Sequence, residues 1–364
     1  MSSKKDNFKL SNNKLMKFAL QLASNQKYRT GINPSVGCII TKNNRILSYA
    51  STESNGKPHA EVSAIKKQKI KNLKNSKMFV TLEPCSHYGK TPPCTNAIIK
   101  AKINTVNFSH IDEDQRTKNK SKKILIKKKI KVKSGLLNKE ISKFYSDYDF
   151  IKKKNRPYVT SKLAVSLNNK ILIDKTHITN KYSRDIAHIL RYRNQALLTS
   201  YKTVNNDNPY LNCRLNGLEK FSPSIIIIDK NLKINLNANL LKRNSAKIIV
   251  FHNSNNQRKI MKLKKKNTKL IKEKIINGSF NLHLILKRLY KLGYHRILLE
   301  SGPKLINNFL NNDLINEFYL FKSDKKIISK KNINVNKLLE KFNLNFKTKH
   351  IKSFIGSDKL IHYF

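Results

Sequence analysis

The sequence has four cysteines, few acidic residues and no long apolar run. The N-terminal stretch MSSKKDNFKL lacks the hydrophobic region of a signal peptide, so no export signal is expected. No run approaches the roughly 18–20 apolar residues that cross a bilayer. These absences argue against a membrane-spanning helix and predict a cytoplasmic protein. Structural disulfides are rare in the cytoplasm, so a close cysteine pair there favours metal or redox chemistry.

Acidic residues are scarce: 22 Asp and Glu stand against 75 Lys and Arg, giving a net charge of +53. A nucleic-acid-binding protein with a structural metal is therefore one hypothesis. However, lysines are spread along the whole chain among Asn and Ile, as in an AT-rich genome. The densest runs, Lys127–Lys133 and Lys262–Lys269, contain no aromatic residue that could stack on bases. We predict no specific nucleic-acid binding, only a field that favours phosphorylated substrates.

The length and the hydrophobic pattern predict two α/β domains. Strand-like and helix-like segments alternate in the first part, which predicts a largely parallel sheet. A second series begins after Asn155–Pro157, and no internal repeat relates the two parts. The predicted domains are residues 1–150 and residues 155–364. The Lys-rich segment 118–133 is predicted to be irregular.

Two of the cysteines lie in a loop that contains three prolines, EPCSHYGKTPPC, where eight residues separate Cys85 from Cys94. Upstream, the segment PHAEV places His59 and Glu61 at the start of a predicted helix. One imidazole and two thiolates would give a metal three protein ligands. Zinc bound in this way keeps a fourth, open position, as in catalytic sites. The pattern therefore predicts catalytic zinc at His59, Cys85 and Cys94.

The order of these residues is typical of zinc nucleobase deaminases, in which His-x-Glu precedes a Pro-Cys pair motif. Glu61 lies two residues beyond the histidine, where it could transfer protons without binding the metal. A helix N-terminus at the Pro-Cys sequence is expected to stabilise the Cys85 thiolate. His87 is an alternative ligand, although an ordinary polar loop residue is favoured. Cys38 lies in an apolar strand and is predicted to be a core residue, and Cys213 is predicted not to bind the metal.

Three segments closely resemble the deaminase half of the bifunctional riboflavin-biosynthesis deaminase/reductase family. They are NPSVGCII, HAE and TLEPCSHYGKTPPC. The resemblance implies a cytidine-deaminase-like fold with zinc on His59, Cys85 and Cys94. It also implies that Glu61 is the proton shuttle and that the substrate is a phosphoribosylated diaminopyrimidine.

The second part contains no G-x-G-x-x-G fingerprint, and its pattern alone indicates only an α/β domain that could bind a nucleotide. Three segments resemble the reductase half of the same family, which has a dihydrofolate-reductase-like fold and uses NADPH. They are RPYVTSKLAVSLNNKI, TVNNDNPYLNCR and LLESGP. The order of these segments also matches the family.

The resemblance implies specific contacts in the reductase half. The cofactor contacts would be Thr203, Asp207, Gly302, Pro303, Lys304, Leu305 and Ile306. The substrate contacts would be Arg191, Leu211, Arg214 and Glu300. Arginine suits the bidentate binding of a phosphate, and a Gly-Pro turn lets backbone N–H groups face one.

The chain departs from the family pattern at four places. Thr52 stands where the family often has histidine, and Asp112 is the equivalent of an Asp-Pro position. Asn168–Asn169 replaces an Asp-Gly turn, and His177 replaces an aromatic residue.

The leading hypothesis is a bifunctional enzyme of riboflavin biosynthesis. It would deaminate 2,5-diamino-6-(5-phosphoribosylamino)pyrimidin-4-one and then reduce the ribosyl side chain to ribityl with NADPH. A monofunctional zinc deaminase with a C-terminal binding module is the alternative. The long cysteine spacing and the ordered reductase motifs favour the bifunctional enzyme, which could form a homo-oligomer.

Overall fold

The computed structural model describes residues 11–89, 91–172, 177–243, 247–329, 331–351 and 355–364. The chain divides into two compact units, Met1–Asn155 and Arg156–Phe364. In the described part, no helix has the length and apolarity needed to cross a membrane. The prediction about the first ten residues falls outside the described residues.

The first unit is a five-stranded sheet with helices packed on it. The strands are β1 Gly37–Lys42, β2 Arg45–Ser51, β3 Lys77–Leu82, β4 Thr105–His110 and β5 Lys131–Ser134. The helices are α1 Asn12–Gln26, α2 Ala60–Lys66, α3 Ile70–Leu73, α4 Cys94–Lys100, α5 Lys120–Lys127 and α6 Asn138–Lys154. A single helical turn lies at Ser54–Gly56. The strand order is β2-β1-β3-β4-β5.

This sheet is mixed, so the prediction of a largely parallel sheet is wrong for the first unit. Strand β1 pairs antiparallel with β2 and β3, whereas β3–β4 and β4–β5 are parallel. The missed strand, β2, follows β1 through a tight turn at Asn43 and Asn44, which both have positive φ. Asparagine tolerates this left-handed conformation, and such two-residue turns join hairpin strands.

The Lys-rich segment predicted to be irregular contains α5 and β5, so that prediction is also wrong. Its lysines lie mostly on exposed faces, while Leu125 and Ile130 are buried in the core of the unit. Gly37 allows another close contact, because a Cβ there would lie 1.9 Å from the backbone oxygen of Ala19 in α1. The glycine thus lets α1 approach β1 directly.

The second unit is built on a nine-stranded sheet with the order β11-β10-β9-β8-β14-β6-β15-β18-β17. The strands of the second unit as a whole are β6 Tyr158–Val165, β7 Lys170–Leu172, β8 Ala196–Ser200, β9 Ser224–Ile228, β10 Ile248–His252, β11 Thr268–Lys272, β12 Ile275–Ile276, β13 Ser279–Phe280, β14 Arg296–Leu299, β15 Glu317–Lys322, β16 Asn332–Asn334, β17 Thr348–Ile351 and β18 Lys359–Tyr363. Its helices are α7 Lys181–Arg193, α8 Tyr201–Asp207, α9 Gln257–Lys264, α10 Leu282–Lys291, α11 Pro303–Asn311 and α12 Asn336–Asn345. Single helical turns lie at Glu219–Phe221 and Asn239–Lys242.

The central strands of this sheet are parallel from β11 through β15, and only β18 and β17 run antiparallel to their neighbours. Strands such as SIIII and RILL are almost continuously apolar, as expected for parallel strands buried on both faces. Strands β8 and β14 are neighbours, and each is followed directly by a helix-forming segment. Open α/β sheets bind ligands at such carboxyl ends of strands.

Candidate metal centre and candidate cofactor cavity

The first unit brings His59, Cys85 and Cys94 together, as predicted. His59 is the N-cap of α2, Cys94 is the first residue of α4, and Cys85 lies in the loop after β3. The Nδ1 atom of His59 lies 3.6 Å from the Cys85 sulfur and 3.3 Å from the Cys94 sulfur. All three donor atoms lie within 4.8 Å of one another.

These separations fit zinc. A tetrahedral zinc ion with Zn–N and Zn–S bonds of about 2.0 and 2.3 Å holds the two donors about 3.5 Å apart. Both nitrogen–sulfur distances are within a few tenths of an ångström of that value. Imidazole and thiolate are also the donor types that zinc prefers.

Cys85 is held in a form that can bind a cation. Hydrogen bonding by Cys94 lowers the pKa of Cys85 to about 4, against the opposing effect of burial, and His59 adds to this lowering. The backbone N–H of Cys94 also donates to the Cys85 sulfur at 3.2 Å. The helix N-terminus that acts on Cys85 is therefore that of α4, which begins nine residues later, and not one that begins at Cys85 itself.

Glu61 is the second residue of α2 and only 3% exposed. Burial raises the pKa of Glu61 to about 7, although the nearby His59 acts in the opposite direction. A carboxyl group with such a pKa can gain or lose a proton near neutral pH. This is the property that a proton shuttle needs.

Sequence reasoning missed Glu83, which organises the loop beside this cluster. Its carboxylate is 2% exposed and accepts hydrogen bonds from the backbone N–H groups of Asp112, Asn119 and Ser121 and from the Ser121 hydroxyl. The one available signal was a glutamate at the end of a strand, directly before Pro-Cys. The partners lie 29 to 38 residues away, so no local pattern could identify them.

The remaining residues singled out from the sequence make ordinary structural contacts. His87 lies within 3.0 Å of the Thr117 hydroxyl and outside the metal cluster, which fits a polar loop residue. Thr52 accepts a hydrogen bond from the Val36 backbone, and Asp112 accepts one from the Tyr148 hydroxyl. Cys38 is fully buried in the core, as predicted, and Cys213 is fully buried outside the metal cluster.

The second unit contains a cavity of about 720 Å³. Ten of the eleven residues predicted for the reductase site line it: Arg191, Thr203, Asp207, Leu211, Arg214, Glu300, Gly302, Pro303, Lys304 and Leu305. The exception is Ile306, whose side chain is fully buried in the hydrophobic core. Its backbone N–H bonds to the carbonyl oxygen of Gly302 within the first turn of α11.

Glu300 is a fixed anion in the wall of this cavity. Arg191 donates to its two carboxylate oxygens at 3.0 and 2.7 Å, and the Lys162 ammonium lies 3.1 Å from one of them. Burial would raise the pKa of Glu300, but the charges of Arg191 and Lys162 outweigh it and hold the pKa well below its usual range. Lys162 was not predicted, because its partner is 138 residues away and a lysine on a strand is an ordinary surface residue.

The two predicted arginines differ in their surroundings. Arg191 is committed to Glu300 and to the carbonyl oxygen of Asn212. Arg214 is exposed, and among the described residues its recorded hydrogen bond goes only to the Asn212 side chain. Arg191 thus holds the Glu300 side chain in place, whereas the guanidinium of Arg214 keeps N–H donors available for a ligand.

The loop at Gly302 fits a dinucleotide phosphate. Gly302 is the N-cap of α11 with φ −66°, so its conformation suits any residue. Apart from Gly302 itself and its two neighbours in the chain, no heavy atom of the described residues lies within 4 Å of the point that a Cβ would occupy. Its N–H donates to the Thr203 hydroxyl at 3.4 Å, and the Ser301 hydroxyl lies 3.2 Å from the same oxygen. An open helix N-terminus of this kind can receive phosphate oxygens.

The departure at Asn168–Asn169 preserves the turn. Asn169 has φ 54°, the left-handed conformation that the family's glycine would adopt. The Asn168 side chain accepts from the Ser166 hydroxyl and pairs in both directions with the Ile327 backbone. His177 lines the cavity.

Comparison with known proteins agrees with this division. Residues 10–110 match the cytidine and deoxycytidylate deaminase zinc-binding region, and residues 157–327 match the RibD C-terminal domain. The riboflavin biosynthesis protein RibD of Aquifex aeolicus is 36% identical over 313 residues, which cover 85% of this chain and 86% of that protein. The RibD protein of Escherichia coli is 28% identical over 84% of this chain and 86% of that protein.

Two solved structures are similar over almost the whole chain. Acinetobacter baumannii RibD has a TM-score of 0.84 at 25% identity, covering 96% of this chain and 98% of that one. The second is a Thermotoga maritima protein described as diaminohydroxyphosphoribosylaminopyrimidine deaminase and 5-amino-6-(5-phosphoribosylamino)uracil reductase. It has a TM-score of 0.80 at 28% identity, covering 96% of this chain and 97% of that one.

Fold and sites together define a bifunctional enzyme, in which a cytidine-deaminase-like zinc domain precedes an NADPH-dependent reductase domain. The predicted α/β fold class and the two predicted cofactors are thereby confirmed. The chain belongs to the RibD family of riboflavin biosynthesis proteins. The monofunctional alternative is disfavoured, because the second unit matches the reductase domain of that family.

Proposed function

We propose that this chain deaminates 2,5-diamino-6-(5-phosphoribosylamino)pyrimidin-4-one and then reduces the ribosyl side chain of the product to ribityl. The observation that carries the proposal is the presence in one chain of a His-Cys-Cys cluster beside a buried glutamate and of a cation-lined cavity with an open helix N-terminus. The description of the similar Thermotoga protein names the same two reactions.

In the deaminase unit we assign the metal to His59, Cys85 and Cys94. When bound, zinc supplies Lewis acidity that makes water a nucleophile near neutral pH. Glu61 takes a proton from the attacking water and passes it to the amino group, which leaves as ammonia. Burial favours the protonated form of Glu61, which it needs in order to hold the proton between the two transfers, and it keeps solvent from competing for that proton.

In the reductase unit we assign cofactor contacts to Thr203, Asp207 and the backbone from Gly302 to Leu305. NADPH supplies the hydride, so the protein's task is to position the reactants. Arg214 offers its open guanidinium to the substrate phosphate. Glu300, held by Arg191 and Lys162, accepts hydrogen bonds from the substrate at a fixed position. Leu211, with its buried side chain at the cavity, shapes the wall.

Incubation with the diaminopyrimidine phosphoribosyl compound, with and without NADPH, tests both reactions. Without NADPH we expect release of one ammonia per substrate and a product whose mass rises by about 1 Da, because an amino group is replaced by oxygen. With NADPH we expect a further gain of two hydrogens and equimolar loss of NADPH absorbance. If ammonia is released but NADPH is not consumed, the reductase half of the proposal is wrong.

The chain's other properties follow the same proposal. We infer that residues 1–150 and 155–364 act as the two catalytic domains in the cytoplasm, on small molecules and not specifically on nucleic acid. We also propose that the chain forms a homo-oligomer. The scattered lysines support the absence of specific nucleic-acid binding, since the two densest basic runs contain no aromatic residue. Sedimentation of the purified protein with and without DNA at moderate salt tests both points.

A further inference from the structure

His188 is a cavity-lining residue to which the proposed function gives no role. It lies on α7, three residues before Arg191, and is 7% exposed. Its Nδ1 atom lies 3.1 Å from the carbonyl oxygen of Asn212. A carbonyl oxygen can only accept, so Nδ1 carries the hydrogen and donates it. The ring tautomer is thereby fixed, and Nε2 carries a lone pair.

The neighbouring arginine does not change this assignment. The Nη1 atom of Arg191 lies 3.4 Å from His188 Nδ1 and could donate to it only if Nδ1 carried no hydrogen, but Nη1 already donates to the Asn212 oxygen at 3.0 Å. The Nδ1 contact with that oxygen is shorter than the Nδ1 contact with Nη1, and a bare Nδ1 would place two lone pairs against each other there, so the hydrogen is assigned to Nδ1. The two N–H groups therefore lie side by side on one acceptor. Burial and the charges of Arg191 and Arg214 lower the pKa of His188 to about 4, so the ring is neutral at physiological pH.

The Nε2 atom is open to the cavity. Among the described residues, no group forms a hydrogen bond with it. Nor is Nε2 one of the polar side-chain atoms that are buried from solvent and lack a hydrogen-bond partner. A neutral nitrogen acceptor thus faces a wall otherwise rich in donors such as Arg214, Lys162 and Lys304. Glu300 and Asp207 also contribute carboxylate acceptors to the cavity, but the proposed function already assigns them to the substrate and the cofactor, whereas it assigns no partner to Nε2 of His188.

A hydrogen-bond acceptor that is surrounded by cationic side chains favours a ligand group that can donate a hydrogen bond. Phosphate oxygens cannot donate, so they belong on Arg214 and the lysines. A hydroxyl group can donate, and the sugar chain of a phosphoribosyl compound carries several. We propose that His188 is a positioning and specificity residue of the reductase site, whose Nε2 accepts a hydrogen bond from a ribosyl hydroxyl of the substrate. This inference rests on the proposed reductase function.

Two substitutions separate the two ring nitrogens. In His188→Asn the side-chain amide can still donate to Asn212 from near the Nδ1 position, but it offers nothing at the Nε2 position. In His188→Gln the longer amide reaches the Nε2 position and can present an acceptor there. The His188→Asn variant should therefore lose the hydroxyl contact, and His188→Gln should restore part of it.

The experiment compares the deaminated phosphoribosyl substrate with analogues that each lack one ribosyl hydroxyl. Affinities are measured by calorimetry without NADPH, and kcat and KM are measured with it. For the wild type we expect one analogue to bind about tenfold more weakly than the parent, the usual effect of losing one hydrogen bond in a buried site. His188→Asn should bind the parent as weakly as that analogue, lose nothing further with it, and keep the wild-type Kd for NADPH.

Several results would overturn the inference. One is a wild-type enzyme that binds every analogue as tightly as the parent, which needs no variant to be folded. Another is a His188→Asn variant that discriminates between parent and analogue as well as the wild type does, or that loses NADPH affinity in parallel. Reduction of the parent by the wild type is measured first. If that reduction occurs, a negative result for His188 leaves the proposed function intact.

Discussion

The open space in front of Gly302 leads to a prediction in which stability and cofactor binding separate. Gly302 precedes Pro303 and has φ −66° and ψ 163°, which any residue can adopt before proline. Apart from Gly302 and its two chain neighbours, no atom of the described residues lies within 4 Å of the point where a Cβ would stand. The Cβ of an alanine or valine would therefore not clash with any more distant part of the described chain, but it would enter the space assigned to the cofactor phosphates.

The expected effect on stability is small. Alanine at a compatible φ stabilises by about 0.4–1 kcal/mol through the unfolded chain, and the loss of glycine at an N-cap costs a similar amount. The melting temperature of the second unit should therefore change by less than about 3 °C. The effect on NADPH should be larger. A group forced into a filled site costs about 1–3 kcal/mol, which weakens binding by roughly 5- to 150-fold, with valine above alanine.

The assay is a fluorescence titration of NADPH against wild type, Gly302→Ala and Gly302→Val, with thermal unfolding beside it. Gly217→Ala is the matched control, because Gly217 has φ 78° and lies outside the cavity. There the new Cβ strains the backbone by about 1–2 kcal/mol, so stability should fall while the Kd for NADPH stays constant. Gly302→Val binding NADPH as tightly as wild type would refute the placement of the cofactor.

Three further predictions concern the first unit. Elemental analysis should find one zinc ion per chain. In Cys85→Ser or Cys94→Ser the zinc should be lost while NADPH binding persists, and an unchanged zinc content would disprove the site. Glu61→Gln should keep zinc but release ammonia at least about 10²-fold more slowly, and near-normal turnover would rule out the proton shuttle. The Nε2–H of His110 donates to the Asp149 carboxylate at 2.8 Å. Burial lowers the pKa of His110, but Asp149 outweighs this effect and raises it. The folded state therefore favours the protonated ring, and this stabilisation is lost as pH rises above the ordinary value of about 6.5 and through the raised pKa. Urea unfolding at about pH 6 and about pH 8 should show this decline, and Asp149→Asn should remove it.

Much of the fold could be predicted from local sequence. The 17-residue helix α6 and the buried strands of the second unit carry periodic or continuous apolar patterns, and the structure places them where those patterns indicate. Strand β2 was missed because only two of its seven residues are buried and its turn depends on two asparagines with positive φ. The Lys-rich helix α5 was missed because only a few apolar residues hold it to the core.

The order of His59, Glu61, Cys85 and Cys94 by itself determined the proposed metal chemistry. Donor types and short spacings carry that information, because two of the donors begin helices and the third follows a strand. The roles in the cavity needed the tertiary structure. Arg191 and Arg214 are the same residue type and carry the same predicted role, yet only Arg191 meets Glu300, which is 109 residues away. The same holds for Lys162, Glu83 and His188, whose roles depend on partners on distant segments. A side chain's hydrogen-bond capacity is a property of the residue, but whether that capacity is used internally or left for a ligand depends on what the folded chain brings within about 3 Å of it.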